Sequence, residues 1–152
     1  MNSESLLDYH RGHVCSRQWS GFLVAMAQEF ENALPEGELM KLMARIGVRF
    51  ARANPLPQVE TLEQLQLAAN EVWQQSRWGA VSFHEDADQV LIYHLVSPLR
   101  VVLGTGAHWG AGFLEGVYRQ WFKAAGMLSV LDIGFVPGDH PDISTYTLSR
   151  VF

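Results

Sequence analysis

GAHWGAGFLEGVYRQWF, residues 106–122, is the stretch that decides how this chain folds. It reads as one helix, from Gly106 to about Ala125, that is apolar on nearly every side. Phe113, Val117 and Trp121 form one stripe at helical spacing; Leu114, Tyr118 and Phe122 form a second. Two apolar stripes on one short helix call for two packing partners. One can be a sheet of the same chain. The other is either more of the same core or a second copy of the protein. Gly112 and Gly116 lie one turn apart, and each costs roughly 1 kcal/mol in a helix interior. The pair therefore implies another backbone approaching closely. The pattern leaves two readings open. One is a central helix buried within a monomer. The other is a homo-oligomer packed through Gly112, Phe113, Gly116, Val117 and Trp121.

Upstream of this helix the sequence reads as three more. Residues 1–16 are polar and are expected to be a mobile segment. From Ser16 or Arg17 to about Leu34, the positions of Trp19, Phe22, Leu23, Met26, Phe30 and Leu34 give an apolar face at helical spacing. After Pro35-Glu36-Gly37, Leu39, Leu42, Met43, Ile46 and Phe50 repeat the pattern until Asn54-Pro55-Leu56-Pro57 stops it. Thr61 with Gln64 forms a capping box for a third helix whose inward residues are Leu62, Leu65, Ala69, Val72 and Trp73. Strands follow at about Gly79–His84 and Gln89–Val96, joined by the polar turn Glu85-Asp86-Ala87-Asp88. Leu99–Leu103 is either a short strand or a lead-in to the helix. Beyond the helix, Leu128–Val136 and Ser144–Phe152 read as two strands around the loop Pro137-Gly138-Asp139-His140-Pro141. The order ααα-ββ-α-ββ separates helices from an antiparallel sheet. That is the α+β class, as a single domain over residues 17–152.

Composition narrows the function classes. The chain has 152 residues, with 48% hydrophobic and only 18% charged. Ordinary domains carry about 25% charged residues, so the deficit favours an oligomer. A net charge of −5 with scattered Lys and Arg argues against nucleic-acid binding. Cys15 is the single cysteine, so no intrachain disulfide forms and no oxidising compartment is implied. The N-terminal residues lack a signal-peptide pattern, and no apolar run approaches the ~20 residues of a membrane span. These features predict a cytoplasmic protein without membrane insertion.

The sequence assigns no catalytic, cofactor-binding or metal-binding residue. His10 and His13 have the spacing of a metal-ligand pair, with only Asp8 and Cys15 nearby. The hairpin is expected to bring His84 and His94 onto one face, as packing or hydrogen-bonding residues. The acid pairs Glu29/Glu31, Glu36/Glu38 and Asp86/Asp88 read as solvated charge on turns and helix ends. Glu115 sits within the apolar helix, and Arg119, four residues later, satisfies it as an ion pair. Val101-Val102-Leu103 leading into Gly104-Thr105-Gly106 and Gly110 sketches a dinucleotide-binding turn. Its spacing is G-x-G-x-x-x-G rather than G-x-G-x-x-G, and Trp109 stands where a phosphate needs room. A sensor or enzyme using the Gly104–Gly110 loop is thus the alternative to a scaffold. Aromatic residues are the other lead, since their faces stack on sugar rings and anchor interfaces. Trp19, Trp73 and Trp121 fall at helix-core positions, which favours packing.

Trp109, then Gly112-Phe113-Leu114-Glu115-Gly116-Val117-Tyr118-Arg119, then Trp121 resembles the W…LEGxYxxW segment of the BcsD family, the D component of bacterial cellulose synthase. Trp78-Gly79 before a strand, the hairpin Val81–Val96 and Thr145-Tyr146-Thr147-Leu148 match other elements of that family. The resemblance implies an accessory, non-catalytic component of cellulose synthesis and secretion. It implies a ring-like octamer built from dimers, and the cellulose synthase catalytic complex and a proline-rich accessory protein as partners. It extends to contact with β-1,4-glucan as one proposed role. For the proline-rich partner, Trp78 and Tyr146 are the expected surface residues.

Overall fold

The elements follow the expected order, and their packing is set by one helix lying between two layers. A computed structural model describes residues 15–104, 106–138 and 140–150. The expected mobile segment, the His10/His13 pair and Thr105 fall wholly or largely outside the described residues. The helices are α1 (Arg17–Ala33), α2 (Glu36–Ala53), α3 (Leu62–Ser76), α4 (Pro98–Leu103) and α5 (Gly112–Ala124). The strands are β1 (Ala80–Asp86), β2 (Gln89–Leu95), β3 (Leu131–Val136) and β4 (Ile143–Arg150). They form a four-stranded antiparallel sheet in the order β1-β2-β4-β3. The expected α+β class holds.

Several boundaries differ from the sequence reading; β3, expected from Leu128, starts at Leu131. Leu99–Leu103 is helical, opened by Pro98 at its first turn, where the missing N–H costs nothing. The helix expected from Gly106 starts at Gly112, after a single 3₁₀ turn over His108–Ala111. Gly104, Gly106 and Gly110 deplete helix propensity along that approach. β1 continues through Asp86, so the hairpin loop shrinks to Ala87-Asp88. Thr61 caps α3 as expected: its hydroxyl accepts from Gln64 N–H (3.1 Å). The return bond, from Glu60 N–H to Gln64 Oε1 (2.9 Å), lands one residue earlier than in the standard box.

α5 is the central helix. Tyr118 and Phe122 meet the sheet through Phe83 and Tyr146. Phe113 packs edge-on against Phe50 of α2, and Trp121 donates its indole N–H to Asn54 O at the end of α2 (3.0 Å). Both stripes are therefore buried within one chain. The glycines explain how α2 comes so close. A Cβ on Gly112 would strike the carbonyl oxygen of Met40, one on Gly116 that of Ala44, and one on Gly47 that of Phe113. Glycine thus faces backbone from both helices. Met40, Ala44 and Asn54 meet Gly112, Gly116 and Trp121 in sequence order, so the two helices run parallel.

Burial on the outer helices also departs from expectation. In α2 the buried positions are Leu39, Met43, Gly47 and Ala51, while Ile46 is exposed. In α1 only Ala27 is buried.

The glycine contact yields a contrast between two alanine substitutions. Gly21 on α1 has open space where a Cβ would sit. Gly21→Ala should gain roughly 0.5–1 kcal/mol from helix propensity. Gly116→Ala makes the same local gain but pushes a methyl group into the Ala44 carbonyl, and should lose about 2–3 kcal/mol net. Urea unfolding of both variants checks the opposite signs.

Candidate functional site

The five residues expected to pack an oligomer all lie inside the chain. Gly112, Phe113, Gly116, Val117 and Trp121 are buried, with α2 and the sheet as their partners. Of the two expected partner-surface residues, Tyr146 is fully buried and donates its hydroxyl to Ala111 O (2.8 Å). It packs the core because β4 alternates, turning Ser144, Tyr146 and Leu148 inward. Trp78 is half-buried between Trp73 and Phe113. Tyr146 is thus closed to a partner, while Trp78 keeps part of its surface exposed.

A polar chain runs through the centre of this core. Trp73 Nε1–H donates to Tyr118 Oη (3.1 Å). His94 Nε2 lies 2.6 Å from Trp78 O, which can only accept, so that nitrogen carries the proton. His94 Nδ1 is then the acceptor for the Tyr118 hydroxyl at 2.5 Å. Burial pushes the His94 pKa down to about 4, against a smaller upward pull from the Trp78 carbonyl. Burial raises Tyr118 well above its ordinary value, reinforced by Tyr146 and opposed by Trp73. Both groups are held neutral and every bond they offer is taken. A buried polar chain satisfied in this way locks one arrangement of the core.

His84 stands on the opposite face of the sheet. In the observed register Val81 faces His94 and His84 faces Leu91, so the two histidines differ in parity along the hairpin. The expectation of a shared face is thereby corrected. His84 is exposed and packs edge-on against Tyr93 at 5.4 Å.

Helix side chains cap part of each edge of the sheet. On β1, Asn70 behaves like a neighbouring peptide, binding Val81 N–H and Val81 O at 2.8 Å each; Gln66 Oε1 accepts from Phe83 N–H (2.7 Å). On β3, Glu115 Oε2 accepts from Phe135 N–H (3.2 Å), and Arg119 Nη2 donates to Ile133 O (2.9 Å). The Glu115–Arg119 ion pair expected from spacing is present at 2.8 Å. Asp132 joins it at 2.6 Å. Burial works against the Arg119 charge, but the bonds to Asp132 and Glu115 outweigh it and raise the pKa. Strand addition at either edge would first have to displace these side chains.

The Gly104–Gly110 loop lacks the form of a dinucleotide site. A helix, α4, stands where the leading strand is required, and Trp109 is buried, donating to Glu31 Oε1 (3.0 Å). Among the described residues no group of three or more His, Cys, Asp or Glu side chains converges as metal ligands.

The exposed aromatic surface lies on α1. Trp19 is 57% exposed and Phe22 58% exposed, one turn apart on α1 and in edge-on contact at 6.0 Å. Their helical spacing places both in the core on sequence grounds, because periodicity reveals an apolar face without revealing what covers it. The inner flank of α1, Ala27 with Phe30, does pack, Phe30 resting on Trp109. Trp19 and Phe22 lie beyond that contact and form an aromatic flank more than half exposed. An exposed aromatic pair of this kind is a candidate association surface.

The model of the cellulose synthase D-component family matches residues 5–130 of the chain. No curated protein matches it significantly.

The neutral His94 carries a pH signature. Below its ordinary value near pH 6.5, the unfolded chain takes up a proton that the folded chain refuses until about pH 4. Stability from this group is full above pH 6.5 and falls as pH drops toward 4, by up to about 3 kcal/mol. His94→Gln should flatten the stability–pH curve in that window by about one proton, as measured by urea unfolding between pH 4 and 7.

Proposed function

This chain belongs to the cellulose synthase D-component (BcsD) family and thus has a role in bacterial cellulose synthesis; we propose that it acts there as a non-catalytic scaffold assembled from copies of itself. The observation that carries this reading is the exposed aromatic flank of α1, Trp19 and Phe22, on a chain whose sheet edges are partly capped by helix side chains. A helix with one buried residue gains little from its own chain. Covering the flank with another copy supplies the missing burial, at roughly 25 cal/mol per Å² of apolar surface.

The titratable groups of the interior support the non-catalytic part of the reading. His94 and Tyr118 are committed to core hydrogen bonds, and Arg119 and Glu115 to an edge strand. An octamer built from dimers is the state implied by the family resemblance. In the proposed arrangement it organises synthase complexes, or the glucan chains they extrude, for ordered export. Its partners are the catalytic complex and a proline-rich accessory protein of the same system. No helix among the described residues is long and apolar enough to cross a membrane. The location we propose is cytoplasmic.

Light scattering after size-exclusion chromatography tests the reading. The native chain should form a particle several times the mass of one chain. Trp19→Ala with Phe22→Ala should shift it to smaller species while leaving the fold, followed by near-UV circular dichroism, intact. A native monomer at micromolar concentration would refute the scaffold. In membranes lacking this protein, glucan synthesis from UDP-glucose should persist while the product loses crystalline order.

A further inference from the structure

The outward face of α2 carries a charge pattern that the function above does not use. Lys41, Arg45, Arg49 and Arg52 recur at four-, four- and three-residue steps, which puts them on one side of the helix. All four are exposed. Lys41 makes a long ion pair with Glu38 (3.8 Å); among the described residues Arg45, Arg49 and Arg52 make none. The chain as a whole carries −5, so this row stands out against an acidic surface. Beside it runs a groove of about 800 Å³, bordered by Arg45, Arg49, Arg52, Glu115 and Arg119, with Ala44 and Val48 among its apolar lining. Half-buried Glu115 and Arg119 are already paired; the three arginines are unspent.

The chain also carries a shape and charge that match this groove. The β1–β2 hairpin ends in Glu85-Asp86-Ala87-Asp88, all exposed, around a two-residue loop. Asp86 uses one oxygen to accept from Ala87 N–H (2.8 Å), and among the described residues neither Asp86 nor Asp88 has a cationic partner. A hairpin tip is narrow: directly paired strand residues lie about 5 Å apart. Successive arginines four residues apart on α2 are separated by about 6 Å along the axis. A tip of this width, closed by the Asp86–Gln89 pair and carrying Asp86 and Asp88, is of a size to approach neighbouring guanidiniums. The remaining acidic pairs fit less well. Glu29 and Glu31 sit along α1, and Glu36 and Glu38 open α2 itself, where they present a convex helix surface rather than a projecting tip.

We propose that the α2 groove, through Arg45, Arg49 and Arg52, receives the acidic β1–β2 hairpin tip of a second copy of this chain, making a head-to-tail contact. This rests on the self-association proposed above and names a second surface for it. A contact between two different patches propagates from copy to copy and closes into a ring when the rotation permits. Arginine is suited to the role, since its planar fork binds carboxylates with two parallel bonds.

Charge exchange tests it. Arg45→Glu with Arg49→Glu makes one variant; Asp86→Lys with Asp88→Lys makes another. All four positions are exposed, so circular dichroism should show each variant folded. Each alone sets like charges against each other at every head-to-tail junction. Each should shift to smaller species in light scattering, with the association constant down roughly tenfold or more. Mixed one to one, the two variants restore opposite charges at every alternating junction, and the native particle size should return. Raising sodium chloride should weaken the native particle and leave a Trp19→Ala, Phe22→Ala difference in place. Variants that keep the native size, or a mixture that fails to recover it, would overturn the contact. A native chain that is itself monomeric would overturn both this proposal and the scaffold reading. Loss of assembly only in the α1 variant would leave the scaffold standing and remove the hairpin contact.

Discussion

Backbone touching backbone between α2 and α5 is the constraint on which the rest depends. Gly47 on one helix and Gly112 and Gly116 on the other remove the side chains that would hold the axes apart. Close approach then places Phe50 against Phe113 and Trp73, and draws the Trp121 indole to the end of α2. With α2 on one side and the sheet on the other, neither apolar stripe of α5 has a free face. The two apolar stripes that make its sequence unusual are consumed within one chain. The question of assembly therefore moves to other surfaces.

The sheet leaves few openings for assembly either. Asn70 and Gln66 occupy the outer edge of β1 much as another strand would, and Glu115 with Arg119 does the same for β3. Polar side chains thus serve two purposes: they satisfy strand groups that would otherwise be unpaired, and they block edge-to-edge growth. Within the core, Trp73, Tyr118, His94 and the Trp78 carbonyl form one closed hydrogen-bond chain. What stays uncommitted includes the aromatic flank of α1, the arginine row of α2 and the acidic tip of the β1–β2 hairpin.

Much of this architecture is legible in the sequence, because helix caps, proline stops and alternating strands are local signals. Thr61, Asn54-Pro55 and the hairpin mark their boundaries within a residue or two. The glycine pair in α5 also announces a close approach, but spacing does not encode the partner, which is Met40 and Ala44 of the same chain. Trp19 and Ile46 show the same limit from the other side. Each sits at core spacing, yet the tertiary fold brings nothing over it. The histidine pair fails for a different reason. Loops of two and of four residues give the hairpin the same parity, and in either one His84 and His94 point to opposite faces, as the observed pairing of Val81 with His94 shows. Leu99–Leu103 is too short for periodicity to separate strand from helix. The edge-sealing roles of Asn70 and Gln66 carry no sequence signal at all, since they arise only when α3 is laid beside β1.

Amide hydrogen exchange as a function of protein concentration tests most directly the claim that the core is closed within one chain and that assembly uses the helical surface outside it. Dilution from an assembled to a dissociated state should leave protection in α5 unchanged. It should release protection in α1, around Trp19 and Phe22. Protection of α5 that disappears on dilution would contradict the account, because the Gly112–Gly116 face would then be held by another copy and not by α2.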